Sequence, residues 1–280
     1  MKPTVAAIIP TRNRRVKTLR FLAALSQQTY SHLQPVVVDS ASSDGTPAAV
    51  RNNFPDVKVI EVGDRNYWAG ATNHGIRYAL EHNVEFMLTI NDDSVIETDH
   101  VERLVALAIR HHLTILGNRI DYLSQPGLIW SLGTQINWNQ PKMITLRYQD
   151  VSAQALPPAL LEQEILPVDA LPGNGVLIHR SVFERIGLYN AWLLPHYHSD
   201  SELILRARQD GIQAYVAPHI ILLNDFSKAQ KAVQLNSLRG LYRAFCHKKS
   251  HLFLPPLIYL FLRYCCTPFK PDKSRLSLPL

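Results

Sequence analysis

Cysteine is scarce in this chain: three in 280 residues, Cys246, Cys265 and Cys266, all within the last 35 positions. An odd number, two of them adjacent, excludes a disulfide-built scaffold and points to a reducing, cytoplasmic setting. Long apolar runs are missing too. The longest, Leu252 to Cys266, is interrupted by Pro255, Pro256 and Arg263, short of the roughly 20 apolar residues that a spanning helix needs. Met1-Lys2-Pro3-Thr4 runs directly into a short apolar strand with no cleavage site, unlike a signal peptide. There is no internal repeat and no low-complexity stretch. Charged residues make up 19% against 46% hydrophobic, a globular composition and not that of a disordered chain.

What charge there is leans one way. A net charge of +6 and a pI near 9.2 call for an anionic partner: nucleic acid, a phosphorylated small molecule or an acidic membrane surface. No aromatic-plus-basic platform and no helix-turn-helix pattern occurs, which sets nucleic acid aside.

Strand and helix signals alternate through the first half. Val5 to Ile9, Val36 to Val38, Val57 to Ile60 and Phe86 to Ile90 read as strands; Arg15 to Ser26, a segment capped by Ser43 or Asp44, Ala69 to His82 and a segment capped by Thr98 read as helices. Such alternation implies an α/β fold, a mostly parallel sheet flanked by helices. From Leu113 to Pro172 the pattern changes. Leu128 to Trp130 and Gln135 to Trp138 flank Gly133, and Met143 to Tyr148 alternates, as in antiparallel hairpins. Helices return at Ser181 to Ile186 and Ser199 to Asp210, followed by a strand at Ala214 to Val216.

The chemistry concentrates at strand ends. Asn91-Asp92-Asp93 follows the apolar run Phe86 to Ile90. Adjacent carboxylates repel and need a positive neighbour near a low-dielectric core. A hard divalent cation carrying substrate phosphates meets that need; a solvated turn capping a following helix is the plainer alternative. Pro10-Thr11-Arg12-Asn13-Arg14 leaves the first strand with backbone N–H groups and arginines suited to a phosphate or nucleotide. No glycine triplet occurs there, which removes the dinucleotide fingerprint of dehydrogenases. Asp39 ends the second strand, able to accept from a base or ribose, or simply to start a turn.

Taken in order, Ile8-Ile9-Pro10-Thr11-Arg12-Asn13-Arg14, Val36 to Thr46, Asn66 to Gly75, Asn91-Asp92-Asp93, Pro172 to Gly175 and Ser199-Asp200-Ser201-Glu202-Leu203 with Arg206 resemble the family 2 glycosyltransferases, over about residues 4 to 225. The resemblance implies a GT-A fold in one catalytic domain, 1–225, with a nucleotide-binding half (1–117) and an acceptor-binding half (118–225). Residues 226–280 would form a helical, basic and apolar extension. It further implies inverting transfer of a sugar from a nucleotide-sugar donor to a glycan or lipid-linked acceptor, assisted by Mg²⁺ or Mn²⁺. On this pattern Asp39 contacts the base or ribose, and Asp93 is the metal ligand. Asn73, Asn91, Asp92, Gly173, Asn174 and Gly175 surround the nucleotide sugar, and Asp200 is the general base.

Three positions depart from the family pattern. Ser199 precedes Asp200 where an acidic residue is usual, Asn91 opens the acidic motif, and Asn224 stands where a histidine commonly completes the metal site. Asp225 or His219 are the candidate replacements. His196, His198 and Asp200 also invite a zinc reading, but lack a third well-placed ligand nearby. Trp68 is either a donor-pocket wall or a core aromatic. Two rival functions stand beside transfer. A sugar-phosphate nucleotidyltransferase would want a glycine-rich turn after the first strand, and Thr11 to Arg14 contains none; a non-catalytic nucleotide- or glycan-binding protein sits poorly with Asp39, Asp93 and Asp200 together. In the tail, Arg239, Arg243, His247, Lys248 and Lys249 precede Leu252 to Leu254 and Leu257 to Leu262. This is either a peripheral anchor on an anionic membrane surface or a helix packed on the catalytic domain or a second subunit.

Overall fold

The computed structural model describes residues 2–140, 142–226 and 252–265, with isolated positions between 237 and 250. Strands β1 (Val5–Thr11), β2 (Leu33–Ser40), β3 (Lys58–Val62) and β4 (Phe86–Thr89) lie parallel in the order β3-β2-β1-β4. Because side chains alternate along a strand, Ala6 and Ile8 of β1 enter one core layer while Val5, Ala7 and Ile9 enter the other. Helix α1 (Arg15–Leu25) covers the second layer with Phe21, Leu22 and Leu25, and α2 (Thr46–Asn53) lies beside it with Val50. Helix α3 (Trp68–Glu81) covers the first layer with Ala69, Ala71, Ile76 and Ala79. A sheet buried on both faces accounts for strands that read as continuous apolar runs.

Past β4 the chain departs from the sequence expectation. The acidic triplet leads into a short strand, β5 (Ser94–Ile96), and not into a helix. Helix α4 (His100–Arg110) starts after Asp99, so Thr98 does not cap it; its carbonyl accepts from Thr29 N instead (2.9 Å). The fully buried strand β6 (Ile115–Tyr122) follows, then β7 (Gln125–Ser131), β8 (Thr134–Ile136), β9 (Ile144–Leu146) and β10 (Val151–Ser152). The expected hairpin across Gly133 does not form. Strand β7 pairs with β6 and β10, whereas β8 pairs with β9 in a separate two-stranded sheet. Gly133, at φ +82°, supplies the left-handed turn between them.

Helix α5 (Pro158–Leu161) and strand β11 (Leu166–Val168) lead to β12 (Val176–His179), which inserts antiparallel between β4 and β6. The main sheet is therefore mixed, parallel at its β4–β1–β2–β3 side, and the two halves of the chain share it. Helices α6 (Arg180–Ile186) and α7 (Ser199–Gln209) precede β13 (Ala214–Asn224), which pairs with β5, β6 and β11 and brings Asn224 beside the acidic triplet. Helix α8 (Leu254–Tyr264) packs Leu260 and Tyr264 against Leu205 of α7, while Leu254, Ile258, Phe261 and Leu262 face outward. Arg239, Arg243, His247, Lys248 and Lys249 lie outside the described residues. Among the described residues no helix is long and apolar enough to cross a membrane.

Candidate active site

The carboxyl ends of β1 and β4 and the first turn of α1 open onto a cavity of about 830 Å³. Its lining includes Pro10, Asn13, Arg14, Arg15, Lys17, Trp68, Asn91, Asp92, Asp93, His196, Tyr197, Asn224 and Asp225. This is where an open α/β sheet takes its ligands, beyond the strand ends.

The two carboxylates of the acidic triplet have separate jobs. Asp92 is turned inward, 1% exposed; its Oδ2 accepts from the hydroxyls of Thr11 and Thr18 (2.8 Å each) and its Oδ1 lies 3.0 Å from Arg14 Nε. Burial pushes its pKa up, and Arg14 and the two hydroxyls pull it back. Asp92 thus ties β4 to β1 and α1, and the Thr11 hydroxyl is spent on the same anchor. Both side chains are engaged in this anchor, and Asp92 also borders the cavity. Asp93 looks into the cavity. It pairs with Arg14 Nη2, and Lys17 Nζ stands between it (3.9 Å) and Asp225 (3.8 Å). Lys17 carries no motif signal of its own, but it lies three residues after Arg14, the N-cap of α1, and shares its side of the helix start.

The neutral members build the walls. Asn91 Oδ1 accepts from Trp68 Nε1 (3.0 Å), and Asn91 N donates to Asn174 Oδ1 (2.9 Å), which also takes a bond from Ser94 Oγ (3.0 Å). Trp68 is thereby oriented as a cavity wall, with Tyr189 edge-on at 5.3 Å. Gly173 donates its N–H to Asp200 Oδ2 (2.9 Å), and a Cβ there would meet Trp68 at 2.5 Å. Gly175 sits at φ +78°, where a Cβ would fall 1.7 Å from Asn118 Oδ1, so only glycine serves. The buried amide of Asn73 bonds the backbone N and O of Tyr189 (3.0 and 2.8 Å); Asn73, like Asp39, Gly173, Asn174, Gly175 and Asp200, lies outside the cavity lining.

The loops after β1 and β2 interlock. Asn13, at φ +52°, donates its N–H to Ser42 Oγ and accepts from Ser43 N, both at 2.7 Å. Arg12 is exposed and donates to the Asp64 carbonyl (2.7 Å); the cations that line the cavity are Arg14, Arg15 and Lys17. Asp39 is 1% exposed; its Oδ2 accepts from Ser42 N (2.8 Å), while its Oδ1 is buried without a partner. A buried acceptor without a donor costs stability unless a ligand supplies one.

Asp200 lies in the first turn of α7, one residue past its start, and His198 precedes the helix at φ +66°. His198 is thus the N-cap and Asp200 the second helical residue. Asp200 Oδ1 accepts from Ser201 N (2.8 Å) and its Oδ2 from Gly173 N, leaving it half-buried behind Trp68 and Gly173. A carboxylate has about four acceptor directions, so two remain for a ligand. The histidines offer no zinc site: among the described residues no three His, Cys, Asp or Glu side chains are arranged to hold a metal. His219 is spent on the Leu161 carbonyl (2.8 Å) and does not replace the missing histidine.

A closed cage of three such groups is thus absent among the described residues, but Mg²⁺ commonly takes only one or two carboxylates plus substrate phosphates and water. Asp93, Asp225 and Asn224 can provide that open set. The amide of Asn224 bears on the question. With its oxygen toward Asp93 it faces acceptors only; turned over, its NH₂ donates to Asp93 Oδ1 (3.0 Å) and the Asp93 carbonyl (3.2 Å). In the second orientation the amide is satisfied by Asp93 itself. Among the described residues three cationic side chains line the cavity (Arg14, Arg15, Lys17) against four carboxylates (Asp44, Asp92, Asp93, Asp225), so these residues offer an incoming diphosphate no surplus of positive charge.

Sheet order, mixed pairing and the cavity at the strand ends define an α/β protein of the GT-A type. S. aureus TarS, in structures of residues 1–349 with UDP and with UDP-GlcNAc, shares the fold at TM-scores of 0.57 and 0.56. Identity is 16% in both, covering 78% of this chain and 59% and 57% of those chains. The profile of glycosyl transferase family 2 matches residues 6–166, and the chain belongs to that family. It is 30% identical over 178 residues to the low-salt glycan biosynthesis hexosyltransferase Agl10 of Haloferax volcanii, covering 63% of this chain and 54% of that protein. It is 27% identical over 117 residues to the GalNAc(5)-diNAcBac-PP-undecaprenol beta-1,3-glucosyltransferase of Campylobacter jejuni subsp. jejuni, covering 41% and 38%. The chain spans about half or less of the length of these relatives.

Proposed function

We propose that this protein transfers a hexose from a nucleotide sugar to a hydroxyl of a glycan or lipid-linked acceptor, with inversion, using Asp200 as general base. What supports the reading is that Asp93 lines the cavity at the strand ends, while Asp39 ends β2 with an unpaired oxygen and Asp200, tied to Gly173 behind Trp68, keeps acceptor directions free. Asp39 Oδ1, buried and unpaired, awaits a donor such as a base N–H or ribose hydroxyl. Residues 1–117 would then hold the nucleotide and 118–225 the acceptor. The relative named for an undecaprenol-linked glycan supports a lipid-linked acceptor.

The displacement follows from these groups. Asp200, oriented by the N–H groups of Gly173 and Ser201, takes the proton of the acceptor hydroxyl as its oxygen bonds to the anomeric carbon. The bond from that carbon to the diphosphate breaks, and its electron pair leaves with the nucleoside diphosphate. A positioned base contributes about 10²–10⁴-fold. Mg²⁺ or Mn²⁺ bound by Asp93, with Asn224 and Asp225, would neutralise the leaving diphosphate. Arg14 and Lys17, now held by Asp93, are the side chains that must yield to it or share the diphosphate.

The outward face of α8 completes the proposal. Leu254, Ile258, Phe261 and Leu262, behind a basic stretch of sequence, suit shallow burial in an anionic membrane surface, where a lipid-linked acceptor resides. The first test is a melting screen with UDP-glucose and UDP-N-acetylglucosamine, with and without Mn²⁺. A bound donor at 100 times its Kd raises stability by about 2.7 kcal/mol. No shift with either, or with other nucleotide sugars, overturns the reading.

A further inference from the structure

We infer that Tyr264, at the end of α8, is a positioning residue for Asp200, acting through a buried hydrogen bond to Glu202 in the first turn of α7. The inference rests on the base role proposed for Asp200. Tyr264 is 1% exposed and its hydroxyl donates to Glu202 Oε1 at 2.8 Å; Glu202, itself 1% exposed, accepts from Arg206 Nη2 at Oε2 (2.9 Å). The carboxylate is thus held from two sides, once by its own helix and once by α8. Burial and the Glu202 charge push the Tyr264 phenol well above its ordinary pKa, so it stays a donor.

Three features connect that bond to the base. First, Asp200 and Glu202 share one helical turn, so a rotation of that turn moves both carboxylates. Second, the chain enters α7 through His198 at φ +66°, a conformation sparsely populated for a residue with a side chain. Such a conformation persists only where its surroundings hold it. The anchors of the turn include Glu202 N to the His198 carbonyl (2.9 Å), Gly173 N and Ser201 N to Asp200, Arg206 to Glu202, and Tyr264 to Glu202. Third, Arg206 also donates to the carbonyls of Ile186 and Leu188 (2.5 and 2.8 Å), next to Tyr189. Tyr189 is the residue whose ring supports Trp68 and whose backbone Asn73 pins. The latch therefore reaches the base and the cavity wall together. Loss of the hydroxyl leaves a buried carboxylate oxygen without its donor, and small misplacements of a reacting group are costly.

The test uses the full chain with Tyr264→Phe, Glu202→Gln, their double variant and Asp200→Asn. Turnover of UDP-glucose with Mn²⁺, water serving as acceptor where no other is known, is measured beside amide exchange at Gly173 and Ser201. Tyr264→Phe is expected to lower kcat about tenfold with the donor KM within twofold, and to speed exchange at both amides. The double variant is expected to be no worse than Glu202→Gln alone. Unchanged exchange at Gly173 and Ser201 overturns the inference even if turnover is too slow to follow, as do additive effects in the double variant or equal loss in kcat and donor affinity. If Asp200→Asn is inactive while Tyr264→Phe matches the wild type in both readouts, the latch alone fails. If Asp200→Asn turns over like the wild type, the base assignment falls and the inference with it.

Discussion

Two carboxylates next to each other in sequence, Asp92 and Asp93, end up with opposite fates. Asp92 is consumed by Thr11, Thr18 and Arg14, whereas Asp93 keeps an oxygen toward Asn224 and the cavity. Asp93→Ala is expected to weaken nucleotide-diphosphate binding and to remove its dependence on divalent metal, because the cation loses its anchoring oxygen. Isothermal titration with UDP, with and without Mn²⁺, checks this. Full turnover of the wild type in excess chelator would instead hand the diphosphate to Arg14 and Lys17. Asp200→Asn should abolish transfer, a loss of 10² or more in kcat, while donor affinity stays within about threefold, since a base acts on the acceptor proton. A parallel loss of donor affinity would assign Asp200 to donor binding.

At the scale of elements, α4 carries a hidden pH sensitivity. His100, at its start, is 1% exposed beside Asn118 and the backbone of Ile221, and burial lowers its pKa to about 4. The unfolded imidazole takes up its proton near pH 6.5, the folded one only near pH 4. Between those values the unfolded chain binds more protons, so stability falls as the pH drops and is fully present above 6.5. The loss from this group is about 3 kcal/mol at pH 4. Urea unfolding from pH 7 to 4 is expected to show that slope in the wild type and a flatter one in His100→Leu, whose side chain has no proton to bind. Identical slopes would mean that other groups govern acid stability.

The whole molecule is proposed to work at a membrane surface. Helix α8 comprises 11 described residues, fewer than a spanning helix needs, and its exposed apolar side chains would lie on that surface. Flotation with liposomes rich in anionic lipid is expected to carry the full chain and to leave behind a chain ended at Ser250. Raised salt should weaken the association, because the basic stretch contributes through screened charge. Equal flotation of both chains, or of neither, removes the membrane proposal.

Much of this was readable along the chain because its causes are local. Apolar runs such as Val36 to Val38 can only be buried, alternation with amphipathic helices implies a covered parallel sheet, and motif order alone carried the family resemblance. Polar motifs also announce themselves by where they interrupt an apolar run, as Asn91-Asp92-Asp93 does. The direction each side chain turns is not local. Whether Asp92 or Asp93 faces the cavity, why Asn73 serves Tyr189, and how β12 slips antiparallel between β4 and β6 depend on partners 70 to 120 positions away. Likewise β6 is not legible along the chain because Arg119 and Asp121 look like surface residues until their buried pairing cancels both charges (2.9 Å). Sequence determines which groups must leave water, and tertiary structure decides which of the remaining ones find each other there, because a buried polar group is stable only opposite a partner that the fold brings to it.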